Sequence, residues 1–181
     1  DEQTRSRLLT AYDDAVRYSD ALVDRLLTDL AEPIVIVHGD HGEAFGEHGV
    51  YGHEPYLFEE NIHVPLVIGN VGETVVDSPV SLRRLPDLVE SVAVGEGLPD
   101  VTDRFAISRT HRGDRTALRG RRLKFIADGA AGRVFDLESG EQSPVGDAAL
   151  RDVFDDLYDS VRTAEREAGL IGEHAVSLDG C

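Results

Sequence analysis

From Thr4 to Leu30 apolar side chains return every three or four positions: Leu8, Leu9, Tyr12, Ala15, Val16, Leu22, Val23, Leu26, Leu27 and Leu30. That spacing predicts one long helix with a single apolar face, which must pack on something. Glu32-Pro33 ends it, and the continuous β-branched run Ile34-Val35-Ile36-Val37 predicts a short strand buried on both faces of a parallel sheet. A loop rich in Gly and His follows, from His38 to His53. Val64 to Ile68 reads as a second buried strand, and Ser81 to Val94 as a helix whose first turn is marked by Pro86.

Past Gly95 the pattern changes. Phe105–His111, Thr116–Ala127 and Arg133–Leu137 are strand-like and separated by the turn signals Arg112-Gly113-Asp114 and Asp128-Gly129, which predicts a small antiparallel meander. Gly146-Asp147 then caps a helix with Leu150, Val153, Phe154, Leu157, Tyr158 and Val161 on one face. The expected architecture is α/β over residues 1–95, a small antiparallel sheet plus helix over residues 96–168, and a tail over residues 169–181. The boundary is expected in the Gly- and Pro-containing stretch Val94–Asp100.

Composition narrows the function classes. The chain has 181 residues, enough for a real core, and no apolar run nears the ~20 residues of a membrane-spanning helix. With 35 acidic against 18 basic residues the net charge is −17, which repels phosphate backbones, so no nucleic-acid partner is expected. Lys124 is the only lysine, and the carboxylates are spread along the whole chain. A distributed acidic surface of this kind points to a halophilic source, because screened repulsion is tolerated at high ionic strength. Cys181 is the only cysteine, which excludes an intrachain disulfide. The chain begins with Asp1 and has no methionine, so it is expected to be a processed product or a piece of something longer.

The chemistry concentrates in the loop His38-Gly39-Asp40-His41-Gly42-Glu43-Ala44-Phe45-Gly46-Glu47-His48-Gly49-Val50-Tyr51-Gly52-His53, with four of the seven histidines. It starts where a buried strand ends, the place where open α/β sheets bind ligands. Asp40 and His41 put a hard oxygen beside a neutral imidazole, a pair able to share one divalent cation when other ligands join. Gly39 and Gly42 are expected to permit strained backbone and close approach. His48 and His53 taken alone read as surface loop histidines, and the absence of His-Glu-x-x-His excludes the zincin class.

The order of motifs is more specific than any one of them. Tyr12-x-x-x-Val16-x-Tyr18-x-Asp20, a strand into Gly39-Asp40-His41-Gly42-Glu43-x-x-Gly46-Glu47-His48-Gly49-x-x-Gly52-His53, then Tyr56 and Val64-Pro65-Leu66-Val67-Ile68, resemble the C-terminal part of the sulfatase family in the alkaline phosphatase superfamily. Val80-Ser81-Leu82-x-x-Leu85-Pro86-Asp87-Leu88, Arg121-Arg122-Leu123-Lys124-Phe125-Ile126 and Val134-Phe135-Asp136-Leu137-Glu138 extend the resemblance to about Asp147. It implies a partial alkaline-phosphatase-like α/β sheet with flanking helices and a C-terminal antiparallel α+β subdomain. It also implies that Asp40 and His41 are ligands of a divalent metal, commonly calcium, and that His53 contacts the sulfate or phosphate ester. Many arylsulfatases have Asn at the position of His41, whereas phosphonate monoester hydrolases also have histidine, which leaves phosphatase, phosphonate hydrolase and phosphoglycerol transferase open beside sulfatase. His63 stands where relatives often have arginine and is expected to be structural.

One expected part is absent from the sequence. The family's nucleophile is a formylglycine made in a Cys/Ser-x-Pro-x-Arg motif, and the residues two before each proline here are Ala31, His53, His63, Asp77, Arg84, Gly97 and Gln142. The resemblance therefore implies a C-terminal fragment of haloarchaeal type, inactive alone, whose partner is the missing N-terminal half. Apolar faces left by that half would make the isolated chain self-associate or depend on high salt. A non-catalytic binding module on the same scaffold is the reading from another class.

Overall fold

The computed structural model describes residues 2–53, 56–72, 75–129 and 131–178, with side chains described to residue 168. Cys181 lies outside them. The chain divides into two compact units, Asp1–Arg104 and Phe105–Cys181.

The first unit opens with the helix α1 (Glu2–Thr28), free of Gly and Pro throughout. It ends at Thr28, and Glu32 takes a left-handed conformation (φ 49°) ahead of Pro33. No residue of α1 is fully buried; Leu8, Tyr12, Val16, Leu22 and Leu26 are all exposed, so the apolar face that the spacing predicts is present and largely open.

Strands β1 (Val35–His38) and β4 (Leu66–Gly69) pair antiparallel, Ile36 opposite Ile68 and Val37 opposite Val67. The expected parallel strand buried on both faces is therefore corrected. Among the described residues between β1 and β4 there is no helical crossover of the length a parallel pair requires; a loop, a short hairpin and one helical turn lie there, which permits the antiparallel return. Only one face of this ribbon is covered: Ile36 and Ile68 pack with Leu88, Val92 and Val101, while Val37 and Val67 on the other face are exposed. The cover comes from α3 (Leu85–Ala93), which has Pro86 in its first turn as its missing N–H allows.

Between β1 and β4 the loop folds into the two-residue strands β2 (Ala44–Phe45) and β3 (Tyr51–Gly52), joined through a 3-10 turn at Glu47–Gly49, and then the single-turn helix α2 (Glu59–Ile62).

The second unit is a four-stranded antiparallel meander in the order β5 (Ala106–Arg109), β6 (Arg115–Arg119), β7 (Leu123–Asp128), β8 (Ala131–Asp136), followed by α4 (Ala148–Leu178). The single strand expected over Thr116–Ala127 is two strands. Gly120 donates its N–H to the Leu123 carbonyl (2.9 Å) and turns the chain there, a reversal hidden because Arg121 and Arg122 carry no turn signature. Asp147 caps α4 by accepting from the Leu150 N–H (3.1 Å). The core joins Leu118, Phe125, Ala127 and Val134 of the sheet to Phe154 of α4, whose ring stacks on Phe125 at 5.7 Å. The helix backbone continues past Gly169 to Leu178, where only a tail with weak signals was expected.

Candidate metal and ester site

The β2–β3 register builds the site. Ala44 pairs with Gly52 and Phe45 with Tyr51, so the residues just outside the hairpin, Glu43 and His53, stand opposite each other. Their side chains meet, His53 Nδ1 lying 3.2 Å from Glu43 Oε2. His41, three residues beyond β1, brings its ring to 4.6 Å from that of His53. One donor atom each of His41, Glu43 and His53 then lies within 4.8 Å of the others.

Asp40 stands beside this group and not within it. Its Oδ1 accepts the His41 N–H (3.0 Å), and its Oδ2 lies 4.0 Å from His41 Nε2, with the side chain 86 % exposed. The backbone N–H groups of Asp40 and His41, and then the His41 imidazole, hold its carboxyl below the usual range. His41 shifts the other way. Its Nδ1 lies 2.9 Å from the Gly42 carbonyl, which favours the protonated ring and outweighs the opposing desolvation, and the Asp40 and Glu43 charges add to it. In the neutral ring the Gly42 bond places the proton on Nδ1 and leaves the Nε2 lone pair for a ligand.

Gly39 and Gly42 do not take the strained backbone expected of them. Neither takes a positive φ. Gly42 donates its N–H to the Asn61 carbonyl (2.9 Å), and a Cβ there would fall on the Glu60 carbonyl, so its missing side chain lets α2 lie against the loop. The left-handed positions sit at the hairpin tip, at Gly46, His48 and Gly49, and at its open end, at Gly52.

The hairpin is gripped from two sides. On α1, Arg5 donates to the Phe45 carbonyl (2.7 Å) and to Glu47 Oε1 (3.1 Å), and Tyr12 sets its ring edge-on to Phe45 at 5.2 Å. Burial would raise the Glu47 pKa, but the N–H groups of Glu47 and Phe45 and the Arg5 guanidinium outweigh it and hold the group low. On α2, Glu60 Oε1 lies 2.7 Å from His48 Nδ1, and the His48 ring stacks on Phe58 at 3.9 Å. His48 is thus built into the tip and lies outside the donor group. His63 pairs with Glu59 one turn earlier, at 3.1 Å.

Glu43 and Asn61 are the residues that sequence reasoning passed over. Glu43 was legible in principle, because a hairpin across Gly46–Gly49 puts positions 43 and 53 opposite each other. Asn61 had no such signal.

Residues 1–75 match the model of the Sulfatase family, a span that holds α1, β1, the whole ligand loop and β4. That part of the chain is thus similar to the Sulfatase family. Among solved structures it resembles the crystal structure of a candidate sulfatase from Bacteroides thetaiotaomicron VPI-5482, at 15 % identity and a TM-score of 0.50. That likeness covers 72 % of this chain, which spans 35 % of the other's length, and it shows a shared partial α/β fold of the alkaline-phosphatase type. The search of curated proteins found no match. Among the described residues no helix is long and apolar enough to cross a membrane.

Proposed function

We propose that this chain is the metal-ligand-bearing C-terminal part of a sulfuric ester hydrolase, with the nucleophile, a formylglycine, on a preceding N-terminal half that is its partner. The observation that carries the reading is the convergence of His41, Glu43 and His53, with Asp40 alongside, inside the segment that matches the Sulfatase family. Asp40 and His41 are the ligands of a divalent cation in this reading, and His53 faces the ester. When bound, the cation neutralises charge on the ester oxygens. Glu43, held against His53 Nδ1, orients that ring and leaves Nε2 as the nitrogen that can hydrogen-bond or protonate a leaving oxygen. His53 is 66 % exposed in its side chain, which leaves it open to a substrate.

The donor set bears on the cation. Calcium takes six to eight oxygens, whereas imidazole suits Zn2+ and Mn2+. With His41 as a ligand and His53 beside it, a borderline cation fits these residues better than calcium, and the histidine at position 41 favours keeping phosphate and phosphonate monoesters as the second substrate class. The test has two parts. Calorimetric titration of the chain with Zn2+, Mn2+ and Ca2+ should give one site, lost in His41→Ala. The full-length protein should hydrolyse 4-nitrophenyl sulfate faster than 4-nitrophenyl phosphate or phenylphosphonate esters, and the reverse order would move the reading to phosphoryl chemistry. No activity is expected of this chain alone.

A further inference from the structure

We infer that Asn61 is a positioning residue of the ligand loop, whose backbone carbonyl and side-chain amide together hold its two arms at a fixed separation. This rests on the reading of His41, Glu43 and His53 as one site. The loop leaves β1 through His41 and Gly42 and returns through Gly52 and His53, so one arm carries the ligand His41 and the other the ester-facing His53, and the two must be kept together. Asn61 touches both. Its carbonyl accepts the Gly42 N–H (2.9 Å), between His41 and Glu43, and its side-chain Nδ2 donates to the Gly52 carbonyl (3.1 Å), next to His53.

The β2–β3 ladder is only two residue pairs long, and an isolated ribbon of that length is not stable in water. The separation of the arms therefore needs an outside brace. Asn61 is well placed for it: it sits in α2 with 6 % of its surface exposed, and the absence of a Cβ at Gly42 lets α2 come close enough to bond.

The amide is oriented at a cost. Among the described residues Asn61 Oδ1 is buried without a hydrogen-bond partner, and a buried acceptor left unpaired is unfavourable. Turning the amide over would set its oxygen against the Gly52 carbonyl and break the brace. An asparagine that only filled space would have no reason to hold this orientation; one that ties Gly52 to Gly42 does.

The experiment reads the arms with and without a cation. In the metal-free chain, NOEs between the His41 and His53 ring protons report the 4.6 Å ring separation directly. They should be present in the parent chain and in Asn70→Gly, a control that removes a different inter-loop asparagine bond (Nδ2 to the Pro33 carbonyl, 2.6 Å). They should be lost in Asn61→Ala and in Asn61→Asp, which keeps the shape and packing of the side chain but cannot donate to Gly52. With Co2+ as the probe, both Asn61 variants should bind about tenfold or more weakly and with an altered visible absorption band, as loss of an orienting partner does to other metal sites. Far-UV circular dichroism separates loss of fold from loss of position, and Asn61→Asp carries the conclusion if Asn61→Ala unfolds. Ring NOEs unchanged in Asn61→Asp, or absent from the parent, would overturn the inference. A parent chain that shows the NOEs and binds no Co2+ sinks the metal reading and leaves the brace standing.

Discussion

Lys124→Met should be among the most damaging single substitutions in the second unit. Lys124 is the only lysine of the chain and is wholly buried on β7, with its Nζ 2.5 Å from Oε1 of Glu141, itself 2 % exposed. Methionine matches the length and bulk of the lysine stem, so packing is roughly conserved and the change isolates the charge. What it leaves is a carboxylate sealed from water with its cationic partner gone. Breaking a buried pair from one side costs about 3–5 kcal/mol, whereas neutralising both sides is far cheaper, since only neutral groups stay buried. A unit of this size has a total stability of the same order, because folded domains hold only ~0.05–0.15 kcal/mol per residue. Lys124→Met should therefore leave the meander close to unfolding at room temperature. Lys124→Met with Glu141→Gln should regain about 1–3 kcal/mol of the loss, although an amide is still buried. Urea unfolding followed by the ring-proton NMR signals of Phe125 and Phe154, stacked at 5.7 Å in its core, reads this unit. A Lys124→Met midpoint within error of the parent, or a double variant no more stable than the single one, would refute the argument.

Four further outcomes follow from the same geometry. Gly42→Ala should cost about 1–3 kcal/mol, as overpacking does, and weaken cation binding as well, since a Cβ there meets the Glu60 carbonyl; thermal melts and Co2+ titration measure both. Cation affinity should rise with pH through a value above the ordinary imidazole range of about 6.5, because the raised pKa of His41 makes the proton a competitor for Nε2; a flat profile between pH 5.5 and 8, pH values chosen around that range, would contradict it. Asp136 is held low by the Arg122 guanidinium and the Glu138 N–H, so its contribution to stability is present above about pH 4 and fades as pH falls through the depressed value; Asp136→Asn should flatten the acid limb of a stability–pH curve. The open apolar face of α1 should make the isolated chain associate, and Leu22→Glu with Leu26→Glu, both exposed, should restore a monomeric sedimentation boundary without loss of helix signal.

What could be read from the sequence was local. The span of α1, the start of α3 at Pro86, the Asp147 cap and the apolar face of α4 all follow from spacing and terminal residues, which act over one or two turns. The misreadings concern relations between segments. Ile34–Val37 looks the same whether its partner strand runs parallel or antiparallel, and whether one or both faces are covered, because β-branched residues fill all of its positions. The reversal at Gly120 was invisible because arginines, which suit strand edges as well as turns, surround it.

The ligand loop divides in the same way. Asp40, His41 and His53 could be singled out by residue type and by resemblance, but their arrangement depends on contacts that no motif states. Glu43 reaches His53 because two residue pairs of β2 and β3 set the register, and those pairs persist because Asn61 and Arg5, from α2 and α1, hold the hairpin from either side. A chain that kept the histidines and lost Gly42 or Asn61 would still carry the motif and would no longer have the site. The bracing residues, as much as the ligands, therefore determine whether such a loop can gather its donors around one cation.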